Sequence, residues 1–454
     1  MNITFYGSAR EVTGSLALVK TEKYKFLVDC GFFQGDQNDY FRNKAPFNFD
    51  PKDIDFVLIT HSHMDHCGKL PWLVKNGFKN NIYCTSPTKD IMYYILLDAV
   101  GIMKYNKKKY KRDTIYEEKD VEKTISLVKT FDYNKPFSPK ENIVVNFKNS
   151  GHILGSATVE ISEIKDDRTE KIVFTGDMGK NLSPIVNDTE FVNGCDHLII
   201  ESTYGNKNHK NMDTRKNDLL KAIKQTINNN GSVLIPSFAI ERTEELLYDL
   251  NELFNEKKLS NVPVFLDSPL AKNVLSVYRK YQDWFDHNAQ QKIKSGDDIF
   301  DFPGFKIIDD TFESEQLIKN TQAKIVLAGS GMMSGGRIIN YLPLYLTQKN
   351  NTVVFVSYQA KDTLGEKLVK GQKTINVDGK KLKVKAQVLQ IPSYTSHADQ
   401  KKLKSFVKNI KHPHPKNIFI NHGNIDQSLG LKQCLSLFSK AKLVIPENAK
   451  EYKL

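Results

Sequence analysis

The stretch Leu58–Leu73, LITHSHMDHCGKLPWL, decides how the rest of this chain is read. It opens as an apolar run and then sets His61, His63, Asp65 and His66 within six residues, in a chain with 11 histidines. On extended backbone, residues two apart share a side, so His61 and His63 can face one point and Asp65 and His66 a second. Imidazole nitrogens and carboxylate oxygens of this kind suit zinc and similar divalent metals. The stretch reads as half of a two-metal site, with the other half expected from elsewhere in the chain. The competing reading is a solvated polar loop, and the spacing of the donors argues against it.

At 454 residues the chain is too long for one ordinary core and suggests two or three domains. Hydrophobic content of 40% and charged content of 26% are those of a soluble globular protein. Lys+Arg 65 against Asp+Glu 53 leaves a net charge of +12, with a pI near 9.1. That balance favours a polyanionic partner. The five cysteines (Cys30, Cys67, Cys84, Cys195, Cys434) are scattered, odd in number and without a CxxC pair. They read as free thiols of a cytoplasmic protein. The start, MNITFYGSAR, has no apolar signal core, and no run approaches a membrane span.

Short β-branched and aromatic runs separated by turns fill the first 60 residues (NITFYGSA, SLALVKT, KFLVDCG, DFVLITH) and predict strands. IVVNF, ATVEIS, KIVFTGD and HLIIEST continue them to about residue 203, with helical periodicity at Lys69–Lys75 and Thr88–Met103. From 206 to about 385, helical patterns alternate with short buried-strand runs such as SVLIPSF, PVFLDS, AKIVLAG and NTVVFVS. That alternation predicts α/β units on a mainly parallel sheet. Several runs end in a metal-capable residue: Asp29 after KFLV, His61 after VLIT, Asp177 after IVFTG, His422 after IFIN. Strand ends on a rigid scaffold are where α/β proteins build sites. Domains are therefore expected at 1–205, 206–385 as an insertion, and 386–454 returning to the first.

His152 in NSGHILGSA and Asp177 in FTGDMGK lie beside turn-forming glycines and, alone, read as turn residues. With HSHMDH they read as ligands, because two tetrahedral zinc ions need about eight donor positions. Through Asp29, HSHMDH, His152 and Asp177, in that order, the sequence resembles the metallo-β-lactamase superfamily. It resembles more closely the β-CASP branch of nucleic-acid nucleases, through Glu201 in LIIESTYGN, His397 in YTSHADQ and His422 in INHGN. IPSFAIERTEELL, FLDSPLA and GSGMMSGGR look like signatures of the inserted β-CASP domain. The fold this implies is a metallo-β-lactamase αββα sandwich carrying an inserted β-CASP α/β domain.

The resemblance implies one zinc on His61, His63 and His152, a second on Asp65, His66 and His422, and Asp177 bridging both. Asp29 would fix a ligand histidine by hydrogen bond. Asp65, His397 and Glu201 would be catalytic, with Glu201 and His397 paired beside the metals. Ser237, Arg242, Gly331 and Arg337 would touch substrate. A histidine at the last motif accompanies RNA substrates in the family, so single-stranded RNA is the expected partner. The chain ends soon after His422, which implies a minimal member without accessory RNA-binding or dimerisation domains; a homodimer is a candidate assembly.

Phosphodiester hydrolysis needs a nucleophile, charge neutralisation and a proton for the leaving oxygen. Two zinc ions with a bridging hydroxide would supply the first two, and His397, oriented by Glu201, the third. The run KYNKKKYKR (104–112) interleaves two tyrosines with six basic residues and could track an RNA backbone or be a solvated helix face. A lactam or thioester hydrolase on the same scaffold is the alternative, and the 206–385 insertion and the +12 charge argue against it. A non-catalytic RNA-binding subunit is a third reading, opposed by the full ligand set. The resemblance is nearer to the endonucleases of the family, with a 5′ exonuclease as the alternative.

Overall fold

Two seven-stranded β-sheets lie within residues 1–181, 186–208 and 397–454, and a six-stranded sheet with the two-stranded Thr374–Val377/Lys380–Lys383 pair lies in the insertion. The computed structural model describes every residue of the chain except Asp36, Gln37, Asp167, Lys210, Asn211 and Lys361. Contacts divide the chain into unit 1 (1–181, 186–208 and 397–454) and unit 2 (182–185 and 209–396).

The strands in chain order are β1 (Asn2–Phe5), β2 (Ala17–Lys20), β3 (Lys25–Val28), β4 (Phe56–Leu58), β5 (Ile82–Cys84), β6 (Val128–Thr130), β7 (Phe137–Lys140), β8 (Ile143–Asn149), β9 (Ala157–Ile164), β10 (Thr169–Phe174) and β11 (His197–Glu201). There follow β12 (Val233–Pro236), β13 (Val264–Asp267), β14 (Phe305–Ile307), β15 (Ile325–Ala328), β16 (Thr352–Phe355), β17 (Thr374–Val377), β18 (Lys380–Lys383), β19 (Gln387–Gln390), β20 (Asn417–Asn421), β21 (Lys442–Val444) and β22 (Glu451–Lys453).

In unit 1 the sheets run β22-β1-β2-β3-β4-β5-β6 and β21-β20-β11-β10-β9-β8-β7. Their inner faces share one core, in which Phe26, Val28, Phe56 and Leu58 of the first sheet join Val159, Ile172, Phe174 and Ile199 of the second. Helices cover both outer faces. Leu70, Leu73, Met92 and Leu96 pack beneath the first sheet, and Leu403, Phe406, Leu431 and Leu435 on the second. This is the expected αββα sandwich.

Strand direction places the functional loops. β3 and β4 are parallel, as are β10, β11 and β20, so the chain leaves each of them at a common edge of its sheet. β9 is antiparallel to β10, so its first residue stands at that same edge, and the loop carrying His152 precedes it. The Ala157 N–H donates to the Thr60 carbonyl at 2.8 Å, tying the two loop clusters together.

Unit 2 holds a six-stranded, wholly parallel sheet, β14-β13-β15-β12-β16-β19. Its strands β12, β15 and β16 are buried throughout, as parallel strands covered on both faces must be. β19 pairs with β16, so unit 2 continues to Ser396, past residue 385 where the sequence texture changes. Its sequence, QVLQ, has no apolar run to betray a sheet membership that backbone pairing decides. The helix Ser86–Tyr110 also runs beyond the predicted Met103, because lysines favour helix and suit its C-terminal end. Among the described residues no helix is long and apolar enough to cross a membrane.

Candidate metal centre

Seven side chains converge at the strand-end edge of unit 1. His61, His63, His152 and Asp177 present ligand atoms within 4.8 Å of one another, and Asp65, His66 and His422 do the same. In the first group His63 Nδ1 lies 3.0 Å from His61 Nε2 and 3.2 Å from His152 Nε2. In the second, His66 Nε2 and His422 Nε2 are 3.0 Å apart, with Asp65 Oδ2 3.4 Å from the latter. Donors on one tetrahedral zinc stand about 3.3 Å apart, from Zn–N bonds of about 2.0–2.1 Å. The spacing fits shared ions.

Asp177 spans the two groups. Its Oδ2 is 3.5 Å from both His61 Nε2 and His152 Nε2, while its Oδ1 is 3.5 Å from His66 Nε2 and 3.2 Å from His422 Nδ1. Oδ1 is fully buried and accepts no hydrogen bond among the described residues. A buried carboxylate oxygen left so costs free energy unless a cation sits against it. The donor set therefore fits divalent metal, which is also what the fold implies.

Charge in the cluster makes the same point. Burial alone would lower His66, but Asp177, Asp29 and Asp65 surround it and lift it to about 10. Burial works to raise Asp65, and the hydrogen bond to His422 with the charge of His66 overcomes it, holding this carboxyl low. Burial together with the four neighbouring imidazoles pushes His61 well below its ordinary value. Around His66 the site demands a cation, and a proton and a metal compete for that role.

Backbone shape delivers these groups. Asp29 (φ +61°) and His422 (φ +52°) both lie in the left-handed region, where the chain turns sharply off β3 and β20. Such conformations persist only where the surroundings impose them, often at functional sites. Gly31 and Gly179 allow close approach: a Cβ would fall 1.6 Å from the Asp65 carbonyl oxygen or 1.7 Å from that of Gly151.

Asp29 acts from behind the ligands. His66 Nδ1–H donates to its Oδ2 at 2.7 Å, Thr60 N–H and Oγ1–H to its Oδ1 at 2.9 and 3.0 Å, and Ser15 Oγ–H to Oδ2 at 3.2 Å. The Thr60 hydroxyl, its proton given to Asp29, accepts from His61 Nδ1–H at 3.0 Å. Both histidines are thereby held with Nε2 as the lone-pair atom. Thr60, Ser15 and Thr203, whose Oγ1 is 3.3 Å from His422 Nδ1, went unnoticed in the sequence. Only Thr60 carried a signal there, by standing directly before the first ligand histidine.

His397 and Glu201 meet beside the cluster. His397 Nδ1 is 3.5 Å from Glu201 Oε2 and 3.8 Å from Asp177 Oδ2. The Met178 N–H donates to Glu201 Oε1 at 2.6 Å and the Thr203 N–H to Oε2 at 3.3 Å. Burial would raise Glu201, yet His397, His422 and the Met178 amide bring it below its ordinary value, so it stays ionised. Asp177, Glu201 and His397 also lie close enough to hold a cation. The amides already on both Glu201 oxygens favour an orienting role instead.

The residues expected at substrate lie in unit 2, with their polar groups engaged there. The Arg337 guanidinium pairs with the buried Asp267, which also accepts from Tyr341 and Ser314. Arg242 donates to Ser396 Oγ at 2.6 Å and to Glu245 at 3.3 Å. Ser237 Oγ is 3.0 Å from Thr243 Oγ1, and the Gly331 carbonyl accepts from Gln359.

Comparison with known proteins supports the same assignment. Residues 18–203 match the metallo-beta-lactamase superfamily domain, 243–368 the Beta-Casp domain, and 381–446 the Zn-dependent metallo-hydrolase RNA specificity domain. The chain is 32% identical over 437 residues to ribonuclease TTHA0252 of Thermus thermophilus, covering 96% of each. It is 31% identical to an RNase J-like protein of Methanocaldococcus jannaschii, covering 98% of this chain and 97% of that one. To transcription termination factor FttA of Methanosarcina mazei it is also 31% identical, over 98% of this chain and 70% of the relative. A solved structure of a protein of unknown function from Enterococcus faecalis shares the fold, with a TM-score of 0.56 at 13% identity over 100% and 99% of the two chains. With these three domains matched along its sequence and a seven-residue His/Asp cluster in unit 1, the chain belongs to the β-CASP family of metallo-β-lactamase-superfamily RNA nucleases.

Proposed function

We propose that the chain is a zinc-dependent ribonuclease that hydrolyses single-stranded RNA, with two zinc ions per chain and His397 as general acid. The observation that carries this reading is Asp177, whose two buried oxygens each face a separate group of nitrogen and oxygen donors. Zinc bound there would supply a nucleophile at neutral pH and neutralise charge on the phosphoryl oxygens. His61, His63 and His152 would hold one ion and Asp65, His66 and His422 the other, with Asp65 kept ionised for the purpose.

Protonation of the leaving oxygen falls to the chain's own residues. His397 turns Nδ1 toward Glu201 and Asp177, which leaves Nε2–H as the proton it would give. Its side chain is 21% exposed, against 1–2% for its two partners, so substrate can reach it. Glu201, fixed by two backbone amides, sets the ring's orientation. The RNA specificity domain and the ribonuclease relatives support RNA over a lactam or thioester. Five free cysteines, four of them buried, favour a reducing, cytoplasmic setting.

The test is end-labelled single-stranded RNA, bearing a 5′-phosphate or a 5′-hydroxyl, incubated with zinc and resolved over time. Zinc-dependent cleavage that weakens as salt rises is expected, because phosphate contacts release counterions. Internal fragments would identify an endonuclease and mononucleotides alone an exonuclease. Faster turnover of a lactam or thioester, with a flat salt response, would sink the reading.

A further inference from the structure

The helix Ser86–Tyr110 buries residues up to Val100 and none after it, yet it continues for ten more. In these turns only Met103, half-buried, packs against the core, which is little packing to offset the entropy of ordering them. Those turns and the residues just beyond carry Lys104, Lys107, Lys108, Lys109, Lys111 and Arg112. Carboxylates face them: Glu118 pairs with Lys104, Asp113 with Lys107 and with Lys44, and the Glu117 charge acts on Lys107.

Aromatic rings alternate with these cations. Lys109 Nζ lies 5.4 Å from the Tyr105 ring and 5.5 Å from that of Tyr110. Arg112 stands 5.4 Å over Tyr40, whose ring is 5.2 Å from Phe41, and Arg42 lies 3.5 Å over Phe33. Phe41, Tyr105 and Tyr110 are 65%, 57% and 56% exposed. The row leads back to the metal centre, because the Phe32 N–H donates to the Met64 carbonyl inside the histidine loop at 2.9 Å.

Resting on the ribonuclease reading, we propose that this tract of unit 1 is a second RNA-binding track. It would hold nucleotides well away from the scissile bond by stacking bases on Tyr105, Tyr110 and Phe41 while the lysines meet phosphates. Exposed rings interleaved with cations are what single-stranded nucleic acid requires. A membrane-lying helix would need a broad aliphatic face, and Ile102 is the one exposed aliphatic side chain within 101–112. The track is distinct from the catalytic pocket. Thr85 and Thr88 at the start of the helix donate to the Gly155 carbonyl, beside the His152 loop. A helix of 25 residues at 1.5 Å per residue then puts Tyr110 roughly 25 Å or more from His152.

The experiment compares zinc-loaded wild type with Tyr105→Ala/Tyr110→Ala and with Lys107→Ala/Lys108→Ala/Lys109→Ala, on RNAs of about 8 and about 30 nucleotides. Alanine preserves the helix, so folding is not at stake. The tyrosine variant should raise KM for the long RNA about tenfold or more at unchanged kcat, and leave the short RNA alone. The lysine variant should flatten the salt dependence of long-RNA binding, reducing the log–log slope by about 2, from roughly 0.7 per phosphate contact. Wild-type cleavage with no length-selective change in either variant would overturn the track alone. So would an unchanged RNA slope with lost binding to anionic vesicles or to an acidic protein. Failure of the wild type to bind or cleave either RNA would overturn the ribonuclease reading and the track with it.

Discussion

Replacing Asp29 by asparagine exchanges one heavy atom and should weaken one of the two proposed metal sites. Asparagine is among the residues that best tolerate the left-handed conformation at this position (φ +61°), so the backbone has no reason to move. Its carbonyl oxygen must stay with the Thr60 N–H and Oγ1–H, at 2.9 and 3.0 Å, which leaves the NH2 group facing His66 Nδ1 where Oδ2 stood at 2.7 Å. To avoid two opposed donors, His66 must shift its proton from Nδ1 to Nε2. That proton then lies between His66 Nε2 and His422 Nε2, which are 3.0 Å apart, in the place of the metal. Loss of such a supporting hydrogen bond weakens binding about 10- to 100-fold, or about 1.4–2.7 kcal/mol. His61 hangs from Thr60, whose own bond to residue 29 survives, so the ion on His61, His63 and His152 should be spared. Chelator competition with elemental analysis should show one weakened and one unchanged site, with circular dichroism confirming the fold. Asp29→Ala, which removes the acceptor for Thr60 as well, should weaken both. Two unaltered affinities in Asp29→Asn, or two equally reduced, would refute the tautomer argument.

His397→Ala should keep its zinc and RNA affinity but cleave about 10²–10⁴-fold more slowly, and a substrate with sulfur as the leaving atom should recover much of that rate. Metal loss in this variant would make His397 a ligand instead. Asp177→Ala should release both ions, since its two oxygens face both donor groups, and retention of one measured by elemental analysis would disprove the bridge. Arg337→Ala leaves Asp267 buried without its cation and should lower stability by about 3 kcal/mol in denaturant unfolding. An unchanged midpoint with weakened RNA binding would instead assign Arg337 to substrate. The buried Lys324 ammonium donates to the Asn320 and Gln322 carbonyls, and burial draws it down to about 8. The folded chain therefore sheds this proton before the unfolded chain does. Relative to Lys324→Met, stability should rise between about pH 8 and 10.5 by roughly 1–2 kcal/mol after solvent screening; parallel pH profiles would contradict this.

Local patterns in the chain were enough for the elements and for half the centre. Period-two and buried-run signals located β3, β4, β10 and β11, and the HSHMDH spacing announced a metal site, because both depend on residues only a few positions apart. Strand-end positions marked Asp177 and His422 as metal-capable, His152 and Asp177 read as ligands only beside HSHMDH, and the family resemblance implied which residues share an ion. Other features were decided only by tertiary structure. Whether His66 meets His422, 356 positions away, depends on β3–β4 and β11–β20 pairing in parallel and ending at common edges, and no short window of sequence encodes strand order. The Thr60 hydroxyl sets a ligand tautomer only because Asp29, 31 residues earlier, lies within 3.0 Å of it. Arg337, expected at substrate, is placed by folding against Asp267, 70 residues before it, a pairing no local pattern announces. Periodicity is a property of neighbours in the chain, whereas the pairing of buried hydrogen bonds and charges is settled between neighbours in space.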